Sequence, residues 1–262
     1  MNAPPAWGPA SGWVEAPHSG EWNGRIYWSE PEILLYDDDP AVRISYPDFI
    51  EDGGPIFVTE TQKSIARVHE IDRTLLDAVW NQFDNRAQAP GALTEVPRLP
   101  DFRERGGFTI EFRVRFRDLS PGQTLLDTRD ERGRGIAITT SNRFSLRLTP
   151  NDGQRESAWE SDAGTHPGTL RVNAWQHVAV TVDGGPKIIT WIVDGVLNDG
   201  GAVRDCGWGR FDAALASVNG RTAATPAPKP SGQLKQLRIY PRPLRTSEVV
   251  GNWRAATPER RP

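Results

Sequence analysis

Apolar and polar residues alternate through much of the chain after residue 106. Runs at Phe108–Phe116, Thr124–Asp127, Gly135–Thr140, Arg143–Thr149, Trp175–Val182, Lys187–Val193 and Gln233–Tyr240 are short, and turn-forming pairs separate most of them. These breaks include Pro121-Gly122, Ser141-Asn142, Asn151-Asp152-Gly153, Asp183-Gly184-Gly185-Pro186 and Asp194-Gly195. A period of two puts successive side chains on opposite faces of a strand. In the run from Trp175 to Asp183, Val178, Val180 and Val182 form the core face, while Trp175, His177, Ala179 and Thr181 form the other. Closely spaced short strands without interleaved helices predict an antiparallel sandwich or barrel. No repeat at a propeller period is visible over residues 106 to 255.

Before this region the texture differs. Residues 1 to 20 are rich in Pro, Gly and Ala and read as an irregular lead-in. Ile33–Tyr36 is a short apolar run; Ser45–Ile50 and Ile56–Thr61 read as a hairpin about Glu51–Gly54, and Ile65–Ile71 as a third strand. Over Arg73–Phe83, Leu75, Leu76, Val79 and Phe83 make the stripe of one amphipathic helix. Three prolines between Pro90 and Pro100 mark a linker. The expected organisation is a small blade-like segment over residues 1–89, a linker over 90–105 and an all-β sandwich over 106–262.

Composition narrows the functional classes. Gly 25 and Pro 22 in 262 residues suit a turn-rich β protein, and 37% hydrophobic residues suffice for a packed core. A net charge of -3 provides no clustered basic face for nucleic acid. The alternating Arg113, Arg115 and Arg117, and Arg143 with Arg147, read as a solvated sheet face. With one cysteine, Cys206, no intrachain disulfide can form. Residues 1 to 20 show no basic-then-apolar leader, and no apolar run approaches the roughly 20 residues that span a bilayer.

The sandwich region resembles the laminin-G-like, concanavalin-like family. The resemblance rests on Gly107-Phe108-Thr109-Ile110-Glu111-Phe112, Thr124-Leu125-Leu126-Asp127, Trp175 through Asp183, Ile192-Val193-Asp194-Gly195, and Gly232-Gln233-Leu234 through Tyr240, followed by Leu244 to Val249. It implies an antiparallel β-sandwich that recognises carbohydrate or protein in an extracellular or periplasmic setting. It also implies a bound calcium in some members, for which Asp127 and Asp130 are the candidate ligands, with Asp162 in a further loop. The segment Tyr46 to Glu60 is similar to a late blade of a sialidase-type propeller, whose nucleophilic tyrosine would fall on Tyr46. No Ser-x-Asp-x-Gly-x-Thr-Trp box is present, and the chain before Tyr46 is too short for the earlier blades.

Three readings of function follow. The first is a carbohydrate-recognition module, accessory to a sialidase-like glycoside hydrolase. Trp159 and Trp208 would stack on sugar rings, and Arg129 and Asp162 would take hydroxyls. The second is a sialidase-like hydrolase completed by other chains or copies. If Ile50 and Ile56 flank the hairpin turn, Tyr46 lies across from Glu60, and the carboxylate would activate the phenol; an ordinary cross-strand contact gives the same pair. The third is a protein-docking module. His177 reads as a sheet-covering residue, and Asp37, Asp38 and Asp39 as a turn. A lone blade leaves sheet edges and one apolar face exposed, so the helix at 73–83 and the sandwich, or else a second copy or a partner chain, is expected over it.

Overall fold

The structure, a computed structural model, describes residues 13–16, 19–22, 24–37, 44–62, 64–93, 95–198, 209–221 and 231–257. The amino-terminal segment is built from three small sheets. Strand β1 (Trp13–Ala16) pairs with β4 (Glu32–Tyr36), enclosing the hairpin of β2 (Ser19–Trp22) and β3 (Arg25–Trp28). Strands β5 (Ser45–Glu51), β6 (Ile56–Gln62) and β7 (Ile65–Glu70) form an antiparallel three-stranded sheet with β6 in the centre. Helix α1 (Arg73–Trp80) follows, capped by Asp72, whose carboxylate accepts from Thr74 N at 2.9 Å. The apolar stripe continues to Phe83, but the helix stops earlier. The side chain of Asn81 donates to Asp77 O at 2.7 Å, taking a carbonyl that closes the last turn. Leu76 joins Val58 and Ile71 in a small apolar cluster against Leu34 and Leu35.

The sandwich has two sheets. In the larger, β8 (Gly107–Phe116) lies between β13 (Gln176–Asp183) and β17 (Gly232–Tyr240), and β14 (Ile188–Val193) extends it beyond β13. The far edge of β14 takes two short strands, β15 (Val196–Leu197) at one end and β16 (Gly209–Arg210) at the other. The smaller sheet runs in the order β9 (Thr124–Asp127), β10 (Gly135–Thr140), β11 (Leu146–Asn151), β12 (Trp159–Glu160). Phe108, Ile110, Phe112, Val114 and Phe116 meet Val178, Val180, Val182 and Trp191 on the inner face, with Leu126, Ile136, Ile138, Leu146 and Leu148 opposite. Residues 90–105 contribute to this assembly. Leu93 bridges to Ile239, and Leu99 and Phe102 are buried in the main core.

Part of the outer face of the larger sheet is covered. Helix α2 (Thr246–Ala255) and the amino-terminal segment pack there, with Val249, Leu244 and Ile33 against Ala179, Ile192 and Tyr240. The alternating arginines therefore have two environments. Arg115 and Arg117 are exposed, whereas Arg113 is partly covered and donates to Ala256 O at 3.0 Å. Glu32 of β4 clamps the start of α2, accepting from Ser247 N at 2.6 Å and Thr246 N at 3.1 Å.

Candidate functional site

The rim of the smaller sheet carries an open polar cleft of about 310 Å³ lined by Asp130, Glu131, Arg132, Arg134 and Arg221. Its shape is set by a tight turn between β9 and β10. Asp130 accepts from the backbone N–H groups of Arg132 and Arg134 at 2.9 Å each, and its own N–H donates to Arg134 O. Gly133, at φ 77, supplies the left-handed position that this turn requires. The opposite wall is pressed close. Arg221 N donates to Thr128 O at 2.7 Å, and Gly220 sits where a Cβ would meet the carbonyls of Arg134 and Thr128 at 2.2 Å. Asn219 anchors the same wall through two hydrogen bonds to the Leu99 backbone. Three guanidinium groups against two carboxylates leave the lining with a positive balance, and planar guanidinium groups suit carboxylate, sulfate or vicinal hydroxyl oxygens.

The residues expected to bind calcium have other partners. Arg129 grips Asp127 with both ends of its guanidinium, Nε to Oδ1 at 2.9 Å and Nη2 to Oδ2 at 2.6 Å. That hydrogen bond holds the Asp127 carboxyl below its ordinary range. Asp130 Oδ1 holds the turn. Calcium takes six to eight oxygens, and among the described residues no group of three or more His, Cys, Asp or Glu side chains is placed to hold a metal. In this arrangement both carboxylates are engaged, Asp127 by Arg129 and Asp130 by the backbone of its own turn.

The expected sugar-stacking group is also dispersed. Trp159 lies on β12 and Arg129 follows β9, the two outer strands of a four-stranded sheet. Three inter-strand spacings separate them, about 14 Å. Trp159 is half-buried, packed on the core and over Gly209, where a Cβ would come within 2.2 Å of the indole. The backbone of Asp162 is tied to Asn198 Oδ1 at 2.9 Å. Trp191 is a core residue, and Trp208 lies outside the described residues. Sequence reasoning missed Arg132, Arg134 and Arg221. The first two flank a glycine turn and are visible as a charged loop, but nothing local connects them to Arg221.

Tyr46 and Glu60 are not assembled as a pair. Ser45 pairs with Thr61 and Asp48 with Thr59, so Tyr46 and Pro47 together lie across from Glu60, as the hairpin count expected of Tyr46, but in a β-bulge that leaves the two side chains in different environments. Pro47 has no N–H to give the ladder, and Tyr46 takes φ 52. Its ring is 85% exposed while Glu60 is 1% exposed. The Glu60 Oε1 atom instead accepts from Arg67 Nη1 and Gln62 Nε2, both at 3.3 Å.

His177 is buried beneath α2 in a network centred on Glu111. The histidine Nε2 meets Glu111 Oε1, and Tyr240 Oη and Asn252 Nδ2 donate to Oε2 at 3.0 and 2.9 Å. Burial and the Glu111 charge push the Tyr240 phenol up to about 12. Helix, sheet and side chains enclose this group, and within it the His177 Nδ1 atom is buried with no hydrogen-bond partner.

With two facing sheets and their strand order established, the family match is decisive: the family described as the concanavalin A-like lectin/glucanases superfamily matches residues 89–250, more than half of the chain. The chain belongs to this superfamily. Comparison with curated proteins returns no match. Among solved structures the superfamily member described here is similar to a heptameric pentraxin of Limulus polyphemus, at 15% identity and TM-score 0.39, over 63% of this chain and 77% of that one. The binding domain of botulinum neurotoxin DC, in complex with SialylT, matches at 10% identity and TM-score 0.44, over 93% of this chain and 52% of that one. The sialidase of Trypanosoma rangeli, in complex with sialic acid, matches at 10% identity and TM-score 0.37, over 92% and 53%. The chain thus spans about half the length of the toxin and sialidase chains.

Proposed function

We propose that this chain is a carbohydrate-recognition module of the concanavalin A-like type, and that it takes an acidic glycan in the cleft formed by Arg132, Arg134 and Arg221. The observation that carries this reading is the cleft itself, three arginines on two facing walls braced by backbone hydrogen bonds, on a fold whose family includes lectins. Acidic sugars present carboxylate or sulfate oxygens to a guanidinium fork, and water remains around the rim because the cleft is open. Stacking on Trp159 is not part of this reading. A hydrolase reading has less support, because the Tyr46 phenol stands in solvent and the Glu60 carboxylate is buried.

A glycan array probed with the full chain tests it. Sialylated, sulfated or uronic-acid glycans should be retained over neutral ones. Arg132→Ala combined with Arg221→Ala should weaken binding about tenfold or more, the scale of losing a hydrogen bond to a charged group. A neutral-glycan preference, or affinity unchanged in the double variant, would remove the cleft from consideration. A fluorogenic sialoside should show no turnover by wild type that Tyr46→Phe abolishes.

A further inference from the structure

The sheet of β5, β6 and β7 has two edges, and the sequence treats them differently. On the β5 side the Asp52 N–H donates to Pro55 O across the turn. Asp48 and Ile50 therefore turn their backbone groups toward β6, and Pro47, Phe49 and Glu51 turn theirs outward. Pro47 has no N–H, the Phe49 N–H is taken by the Asp48 carboxylate at 3.0 Å, and the bulge at Tyr46–Pro47 breaks the line of the strand. Such devices close a sheet edge to further pairing. Strand β7 has none of them. Its register with β6 is unbroken from Ile65 to Glu70, without proline or glycine. The Ile71 N–H donates to Ile56 O, which fixes the alternation. Ile65, Arg67 and His69 bond to β6, while Ala66, Val68 and Glu70 present N–H and C=O groups outward. None of these outward groups has a hydrogen-bond partner among the described residues. All three residues are exposed, Val68 at 64%.

We propose that β7 is the edge through which two copies of this chain pair, antiparallel about a two-fold axis at Val68. In this register Val68 lies opposite the second copy's Val68, and Ala66 and Glu70 lie opposite that copy's Glu70 and Ala66. Each of these pairs exchanges two backbone hydrogen bonds, so every outward group of β7 is satisfied. A slip of two residues would leave Ala66 or Glu70 unmatched, and a slip of one would set the outer face of one strand against the inner face of the other. The side chains agree with the register. On the outer face the two exposed valines lie side by side, and Glu70 meets alanine rather than a like charge. On the inner face Arg67 lies opposite His69, with its guanidinium still held by Glu60 at 3.3 Å and Asp37 at 3.7 Å. One strand pair buries less than the roughly 1,200 Å² of stable complexes, so the dimer is reversible. The joined sheet ends on both sides at the closed β5 edge, so association stops at two copies.

Sedimentation equilibrium of the full chain tests it. From about 10 μM to about 1 mM the mean mass should rise from that of the 29.1 kDa monomer toward the dimer. Val68→Lys sets two ammonium groups at the axis and should weaken association about tenfold or more. Val68→Pro removes the central N–H without touching the β6 ladder and should do the same; if it does not fold, by far-UV spectrum, Val68→Lys decides. Glu51→Lys on the other edge should leave association unchanged, as should Arg132→Ala with Arg221→Ala in the cleft. In a Cys206→Ala background, Val68→Cys should cross-link two chains on mild oxidation, because hydrogen-bonded residues in opposition lie about 5.5 Å apart at Cα, within disulfide reach. Glu51→Cys should not. A chain that stays monomeric to about 1 mM overturns the proposal. A dimer indifferent to both Val68 substitutions, or one that cross-links as readily through Glu51→Cys, overturns it equally.

Discussion

Glu111 shows how a charged residue is accommodated inside this sandwich. Burial pushes its carboxyl up, but the hydrogen bond and charge of His177, together with Tyr240 Oη and Arg238, outweigh burial and leave it below its ordinary value. Replacing it with Ala strands the Tyr240 hydroxyl, the Asn252 amide and the His177 ring under α2. Glu111→Ala should therefore lower stability by about 3–5 kcal/mol, the scale for breaking a buried pair on one side, measurable by urea denaturation. A loss under about 1 kcal/mol would show that the network is replaceable by water. Asp72 offers a pH test. Its carboxyl is held down to about 2 by the hydrogen bonds of Thr74 and Arg245. A depressed folded value means that its contribution is complete above the ordinary value of 3.8 and is lost as pH falls through about 2. Asp72→Asn should melt lower than wild type at neutral pH, and the gap should close as pH is lowered through that window. A gap independent of pH would assign the effect to packing.

The strands of the larger sheet were legible because burial on one face imposes a period of two, as in Phe108 to Phe116 and Val178 to Val182. The two-residue strands β12, β15 and β16 were not, since two residues carry no period. Helix α2 was illegible for a different reason. Its sequence, TSEVVGNWRA, contains two adjacent valines and a glycine, all weak helix formers, and its first-turn N–H groups are satisfied partly by Glu32 from another element. The hairpin at β5–β6 was recognised, but the bulge at Tyr46–Pro47 was not; Tyr46, at φ 52, is exposed there while Glu60 across from it is buried. The arginine cleft was missed because its two walls are distant in sequence. The proline-rich stretch read as a linker, whereas Leu99 and Phe102 enter the core. A fragment of residues 89–262 should therefore melt higher than one of residues 106–262 in calorimetry. Equal melting temperatures would mean that Leu99 and Phe102 contribute nothing.

At the scale of the molecule, the amino-terminal segment leans on the sandwich through α2. Gln82 Nε2 donates to Ser247 Oγ at 3.0 Å, Arg245 reaches Asp72 Oδ2 at 2.8 Å, and Asn252 Oδ1 accepts from Ala89 N at 2.6 Å. A β5–β7 sheet alone would leave Ile50 and Val68 exposed, as they are here, and also uncover Val58 and Ile56, which Leu34, Leu35 and Leu76 cover. The clamp on α2 has a further consequence, for biosynthesis. Glu32 and Ser247 are 215 residues apart, so at roughly 5–20 residues per second about 10–40 s pass between the synthesis of the carboxylate and that of its partner. Until then the Glu32 side chain has water for its partner, and β4 has no helix to hold. Strand β4 must wait, unclamped, for a helix made 215 positions later.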